Sequence, residues 1–175
     1  MAWIVEDKRN ATPDEIRKLC ERQRNSTMST LVVAMGQNGI GIYSVEKSEY
    51  TLYPSSDFAA AIRRIETADE VITYNGGTWK SGGIADDLLV LGRMAGIKGA
   101  LPISGKHIDL RKIIWSNHIW GDGLELTYKM HFENDPEFTS LTEAEFSNRR
   151  DVHMTLKLWE LWKQGKLKIL NGFRI

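Results

Sequence analysis

The sequence has few of the features that mark secreted, membrane-spanning or strongly basic proteins. Its 175 residues include one cysteine, Cys20, which cannot form a disulfide within the chain. It has no apolar run long enough to span a bilayer and no apolar segment typical of a secretion signal. The 23 basic residues balance 23 acidic ones, which argues against nucleic-acid binding by bulk charge but allows a local basic groove. We therefore expect a cytoplasmic protein with no membrane association.

The composition is typical of one ordered globular domain. Hydrophobic residues make up 42% of the chain and charged residues 26%, with no tandem repeat, low-complexity run or linker. A chain of this length can bury a substantial core without metal or disulfide support. The sequence therefore predicts a single domain over residues 1–175.

The first half predicts a sheet that contains an antiparallel meander. The runs 31–35 and 40–45 are rich in strand-forming residues, and Asn38-Gly39 between them is the dipeptide that a type I′ hairpin turn prefers. The run 49–53 adds a third strand. Before the meander, we expect a short buried strand at residues 2–6 and a polar helix over 12–24.

Helices and strands alternate after the meander. Phe58, Ile62 and Ile65 share one face of a helix expected over 57–68, and a β-branched strand follows at 71–74. Further helices are expected from Asp86-Asp87 to a stop at Gly96, and over 124–132. The fold class is therefore α/β, with a mixed central sheet, an antiparallel meander, crossover connections and flanking helices.

The last helix is expected over residues 141–164. Thr142 and Glu145 form a capping box at its start, and Gly165 follows its end. An apolar stripe marks the face to be buried: Val152, Leu156 and Trp159.

Asp151 lies beside that stripe. A carboxylate at the edge of a buried face loses hydration, so it needs a partner or a shifted pKa. A divalent metal would be one such partner. An ion pair with Arg149, Arg150 or another basic residue at the rim of the helix is the alternative, and this segment alone favours it.

Polar residues also follow strands at two places. Asn75, Asp86 and Asp87 come after the strand 71–74, where ligands bind in open sheets, although two acids at a helix start also complement the helix dipole. His107 and Asp109 form a second pair, but their spacing does not predict a zinc site.

The second half of the chain, from Glu70 to Lys163, resembles the DEDD (DnaQ-like) 3′–5′ exonucleases, in their polymerase-type and phage-type branches. The strand VITYNG followed by Asp87 in DLLVLGRMAG resembles the second motif of that family. HIDL and GLELTYKMHF resemble the region between motifs, and RRDVHMTLKLWELW resembles the last motif, with Asp151 at its aspartate position. The amino-acid sequence of this last segment also hints, by resemblance, at a viral origin.

The resemblance implies a ribonuclease H-like fold and a carboxylate site for Mg²⁺ or Mn²⁺. Asp87 and Asp151 would be metal ligands, with Asp109 as a weaker candidate. The first family motif, Asp-x-Glu, has no convincing match: Glu6-Asp7-Lys8 offers Glu6 as an uncertain third ligand, and TLVVAMGQ carries no acid. Ser147 stands where the family has a tyrosine that orients the attacking water.

The substrate implied is the 3′ end of single-stranded DNA or RNA. Asn75 is a candidate contact, and so is Trp79 or Tyr74 by stacking on a terminal base. Four basic side chains are candidates for phosphate contacts: Arg111, Lys112, Arg149 and Arg150. The alternative is that the basic side chains are ordinary solvated charges and the aromatic side chains belong to the core. We favour this alternative for the basic side chains.

Two functions remain open at this level. The first is a metal-dependent 3′–5′ exonuclease with Asp87, Asp151, Glu6 and Ser147 as its catalytic residues. The second is a degenerate nuclease fold that has lost hydrolysis and binds nucleic acid or a protein partner. The missing Asp-x-Glu motif and tyrosine are the reason to consider the second, and the exonuclease is the leading hypothesis.

Overall fold

The computed structural model of the chain describes residues 28–36, 38–74, 87–115, 123–132 and 147–169. Several expectations lie outside these ranges: the strand at 2–6, the helix at 12–24, the capping box of Thr142 and Glu145, and the candidate site residues Glu6, Asn75 and Trp79. None of the helices within the described ranges is long and apolar enough to cross a membrane.

The described strands form a mixed sheet in the order β3-β2-β1-β4-β5. Strands β1 (Thr30–Gly36), β2 (Gly39–Ser44) and β3 (Glu49–Tyr53) form the predicted antiparallel meander. Strands β4 (Glu70–Thr73) and β5 (Lys106–Asp109) continue from β1 in parallel. The α/β class and the mixed sheet with flanking helices are therefore confirmed.

The hairpin between β1 and β2 is confirmed, but its turn lies one residue earlier than predicted. Gly36 pairs with Gly39, so Gly39 already belongs to β2. Its φ is 137°, and a Cβ there would overlap the carbonyl oxygen of Tyr53. Position 39 therefore requires glycine, because β2 begins there directly beside β3. Asn38-Gly39 is not the centre of the turn.

Helices cover both faces of the sheet. They are α1 (Phe58–Glu66), preceded by a 3₁₀ turn at Ser55–Asp57, then α2 (Asp87–Met94), α3 (Leu110–Ile114), α4 (Leu124–His131) and α5 (Ser147–Lys163). Gly96 and Gly165, with φ of 75° and 68°, follow the ends of α2 and α5 as predicted. The sequence patterns did not predict α3.

Two apolar layers form the core, one on each face of the sheet. Alternate residues of β1 point to opposite faces. Leu31 and Val33 therefore pack in the layer that contains Ile65 of α1, while Val32 and Ala34 pack in the layer that contains α5. Burial of β1 on both faces explains why its apolar residues are continuous rather than alternating.

Helix α5 is buried along a wider stripe than predicted. Val152 and Trp159 are buried as expected, but Leu156 is only half-buried. Met154 and Leu158 are more deeply buried, because α5 packs against α4 as well as the sheet. A stripe drawn for one contact surface could not anticipate the second surface.

Candidate functional site

A cleft of about 320 Å³ lies at the carboxyl ends of the parallel strands, beside α5. Because β1, β4 and β5 run in the same direction, the residues at or just after their ends meet at one edge of the sheet. We call this cleft the acidic cleft. It is lined by Val33, Ala34, Met35, Tyr74, Asp87, Arg111, Gly123, Leu124, Asp151 and Thr155.

The acidic cleft brings together the two carboxylates expected to act as metal ligands. Asp87 is the first residue of α2, and Asp151 lies in the early part of α5. Both are half-buried and both line the cleft. The chain thus places two acids from distant parts of the sequence around one concave surface.

The carboxyl group of Asp151 is desolvated without being neutralised by an ion pair. Burial raises its pKa, the nearby charge of Arg150 lowers it, and Glu125 raises it further. Nη2 of Arg150 binds Glu125 at 2.8 Å, and the guanidinium of Arg149 lies 5.7 Å from the ring centre of Tyr50. Among the ion pairs of the described residues, none joins either arginine to Asp151, although the charge of Arg150 acts on its pKa.

The two carboxylates fit one magnesium ion better than a pair of metals. The described ranges contain no group of three or more histidine, cysteine or acidic side chains arranged to hold a metal. Mg²⁺ commonly binds through one or two carboxylates, and it completes its octahedral shell with water and substrate phosphates. Asp87 and Asp151 supply that number of hard oxygen ligands.

The part of β1 that lines the cleft supplies no third carboxylate. Val33, Ala34 and Met35 are apolar, and Gly36 ends the strand. A Cβ at Gly36 would overlap the side-chain oxygen of Asn148, the second residue of α5. Position 36 therefore has no room for an acidic side chain while Asn148 keeps its position.

Asp109 has a structural role. Its Oδ1 accepts a hydrogen bond of 3.1 Å from the backbone N–H of Arg111, so it caps α3, and it is only 6% exposed. It is not among the residues that line the acidic cleft. Nε2 of its neighbour His107 is 2.8 Å from Oγ1 of Thr73, so this side chain also has a partner within the sheet.

Tyr74 lines the cleft as a buried core aromatic. Its hydroxyl lies 2.7 Å from Oγ1 of Thr127, which also accepts a hydrogen bond from the indole N–H of Trp115. Burial raises the pKa of Tyr74, an effect partly offset by these hydrogen bonds and by Arg111. The fixed, neutral phenol favours the core alternative over stacking on a terminal base.

Among the basic side chains that are candidates for phosphate contacts, Arg111 rather than Arg150 lies at the acidic cleft. Arg111 is 7% exposed and lines the cleft beside Tyr74. Arg150 binds Glu125, and its side chain is 16% exposed. Ser147 is the first residue of α5, one helical turn before Asp151.

Sequence reasoning missed two contributors to this region. Thr155 lines the cleft and donates through Oγ1 to the carbonyl of Asp151 at 2.8 Å. Glu125 engages Arg150 and raises the pKa of Asp151. The i, i+4 spacing of Asp151 and Thr155 was a usable signal, whereas the contact between α4 and α5 had none.

No protein-family model matches the chain, and no curated protein matches it.

Proposed function

We propose that the chain is a metal-dependent 3′–5′ exonuclease of ribonuclease H-like fold, which hydrolyses phosphodiester bonds at the 3′ end of single-stranded DNA or RNA. The observation that carries this proposal is the shared position of Asp87 and Asp151 in one cleft. These are the two aspartates through which the sequence resembles the DEDD exonucleases.

The architecture supports the same proposal. An antiparallel meander that continues into parallel strands, in the order β3-β2-β1-β4-β5, is compatible with the ribonuclease H-like fold. The acidic cleft lies at the carboxyl edge of the parallel strands, where open α/β sheets bind their ligands. Its place in the fold is therefore suited to a substrate site.

In this mechanism Asp87 and Asp151 would hold one Mg²⁺ or Mn²⁺. When bound, such an ion would supply Lewis-acid stabilisation of the phosphate and lower the pKa of a bound water. Arg111 places a positive charge at the same cleft, where it complements a bound phosphate. Glu6 as a third ligand and Ser147 as the residue that orients water complete the proposed set.

A labelled single strand tests this function. DNA and RNA oligonucleotides labelled at the 5′ end are incubated with Mg²⁺ or Mn²⁺, and we expect products shortened stepwise from the 3′ end. Asp87→Asn and Asp151→Asn should each lower the rate by at least about 100-fold, because each removes a charge that holds the ion. Asp57→Asn is the matched control, since Asp57 is exposed and outside the acidic cleft. Absence of turnover at micromolar protein, or full activity in both cleft variants, would contradict the proposal.

The second candidate function is a binding module that has lost hydrolysis. The acid-free wall formed by Val33, Ala34 and Met35 favours it, because hydrolysis by two metals requires several converging carboxylates. Such a module would bind single strands or a protein without degrading them. Retention of an intact labelled strand in the presence of Mn²⁺ would support this candidate over the exonuclease.

A further inference from the structure

A second cleft, of about 350 Å³, lies on another side of α5. We call it the tyrosine cleft. It is formed mainly by Tyr43 and Tyr50 from the meander and by Arg149, His153, Lys157 and Glu160 from α5. Of these residues, only Arg149 is a phosphate-contact candidate from the sequence, and the proposed hydrolysis uses none of them.

The two clefts use different faces of the same helix. Asp151 and Thr155 line the acidic cleft, whereas Arg149, His153 and Glu160 line the tyrosine cleft. At about 100° of rotation per residue, the centres of these two groups are roughly 150° apart around the helix axis. Helix α5 thus forms a ridge between two concave surfaces.

The tyrosine cleft has an aromatic floor that the meander holds in place. Tyr43 of β2 and Tyr50 of β3 are directly paired, so their side chains lie on the same face of the sheet. A Cβ at Gly41 would lie 3.0 Å from the hydroxyl oxygen of Tyr50 and 3.2 Å from Cγ2 of Val152. The missing side chain at Gly41 therefore lets the Tyr50 ring pass over β2 close to α5.

The helical wall of this cleft carries cationic groups at regular spacing. Arg149, His153 and Lys157 follow one another at intervals of four residues, so they lie on one side of α5. The guanidinium of Arg149 stands 5.7 Å from the ring centre of Tyr50, within cation–π range. Glu160 contributes one negative charge against the positive charges of Arg149 and Lys157, so this wall keeps an excess of positive charge.

The tyrosine cleft also lies close to the acidic cleft near the beginning of α5. Burial raises the pKa of Tyr50, Arg149 lowers it and the charge of Asp151 raises it. Arg149 of the tyrosine cleft and Asp151 of the acidic cleft are two residues apart in α5, so they lie about 3 Å apart along the helix axis. One extended ligand can therefore contact both clefts across this end of the ridge.

We propose that the tyrosine cleft binds a nucleotide unit of the single strand whose 3′ end occupies the acidic cleft. Phosphate groups bind Arg149 and Lys157, and a base packs against the tyrosine floor. Single-strand sites combine these two elements, because cations follow the backbone and every base has a face that can stack. This inference rests on the proposed function for the choice of a nucleic-acid strand, but it requires no metal.

Binding measured in EDTA tests this inference separately from hydrolysis. The probe is a fluorescein-labelled single-stranded oligothymidylate of about ten nucleotides, observed by fluorescence anisotropy at low salt. We expect Arg149→Gln and Lys157→Gln each to weaken binding by about three- to tenfold and to reduce the salt dependence by about one unit of slope. Tyr50→Leu should weaken binding about tenfold, and Tyr50→Phe should not, because it keeps the ring.

Controls and a competitor define the outcomes. Arg93→Gln removes the same charge from an exposed position outside both clefts and should bind as the unmodified protein does. Equal affinity in Arg149→Gln, Lys157→Gln, Tyr50→Leu and Arg93→Gln, or no binding by the unmodified protein in EDTA, would overturn the inference. AMP alone should compete weakly; displacement at a concentration close to the Kd of the oligonucleotide would instead assign the cleft to a free nucleotide.

The result also separates the two proposals. Hydrolysis with unchanged EDTA binding in the tyrosine-cleft variants would refute this inference and leave the exonuclease standing. Binding that depends on Arg149 and Tyr50, without hydrolysis in Mn²⁺, would refute the exonuclease and keep the tyrosine cleft as a single-strand site.

Discussion

Asn148 and Gly39 are joined by a hydrogen bond of 2.6 Å, from the side-chain amide of Asn148 to the carbonyl oxygen of Gly39. The same buried side chain occupies the space that a Cβ at Gly36 would need. Together these contacts attach the first turn of α5 to the hairpin between β1 and β2. They therefore help to hold Asp151 beside the carboxyl end of β1.

This attachment predicts a non-additive pair of substitutions. Asn148→Ala leaves the Gly39 carbonyl without this donor and should lower the free energy of unfolding by about 1–3 kcal/mol. Gly36→Ala should cost a similar amount, because its Cβ displaces Asn148 from the hydrogen bond. The double variant should lose less than the two single losses combined, since one contact is broken in both. Urea denaturation measures all three values, and strictly additive losses would refute the contact.

Metal binding should stabilise the folded chain. At a concentration of Mn²⁺ about 100 times its Kd, the free energy of unfolding should rise by about 2.7 kcal/mol, because the ion binds the folded site. For a chain of this size the melting temperature should rise by roughly 5 °C or more. Asp87→Asn and Asp151→Asn should abolish the increase, whereas Asp57→Asn should keep it. An equal increase in every variant would place the binding elsewhere.

An acid added to β1 should strengthen the metal site. Ala34 lines the acidic cleft and belongs to the core layer on the α5 face, so Ala34→Asp adds a carboxylate on the side of Asp151. Without metal this variant should lose about 2 kcal/mol of stability, because a third negative charge is desolvated there.

The same variant should bind Mn²⁺ roughly tenfold more tightly, since the added charge attracts the cation. Calorimetric titration measures the affinity. Ala34→Asn is the matched control, with nearly the same shape and no charge. If Ala34→Asn tightened binding as much as Ala34→Asp, the effect would not be electrostatic.

Stability should depend on pH through His107. Burial lowers the pKa of His107, against an opposing effect of Asp109 and with a further lowering by Lys112. Below the ordinary histidine value of about 6.5, the unfolded chain therefore binds more protons than the folded chain. The free energy of unfolding should fall as the pH decreases through this region and recover as the pH rises.

Urea denaturation between about pH 5 and pH 7.5 measures that dependence. His107→Gln should reduce the slope, because it removes the group whose protonation is disfavoured in the fold. An unchanged slope in His107→Gln would contradict the assignment to His107.

Much of the fold was readable from local patterns. The strands of the meander, the helices α1, α2 and α4, and the ends of α2 and α5 near Gly96 and Gly165 follow from periodicity and glycine positions. These signals are local, because alternation and capping concern residues a few positions apart. The hairpin turn was misplaced by one residue since the demand for glycine at position 39 comes from Tyr53 on a neighbouring strand.

The roles of the charged residues were less readable. The sequence did not predict that Asp109 caps α3 or that Arg150 binds Glu125, and their proposed roles as a metal ligand and a nucleic-acid contact stay predictions. Each role is decided by which group the fold brings within hydrogen-bond distance. Residue type alone does not contain that information.

The sequence by itself determined an α/β chain with a meander and a net charge of zero. It also placed two aspartates in segments that resemble exonuclease motifs. Only the tertiary structure decided that Asp87 and Asp151 share a cleft, that the acid-free strand β1 lines it, and that Tyr43 and Tyr50 face the basic residues of α5. The physical reason is that these relations join residues far apart in the chain. They exist only after the parallel strands and α5 have packed against one another.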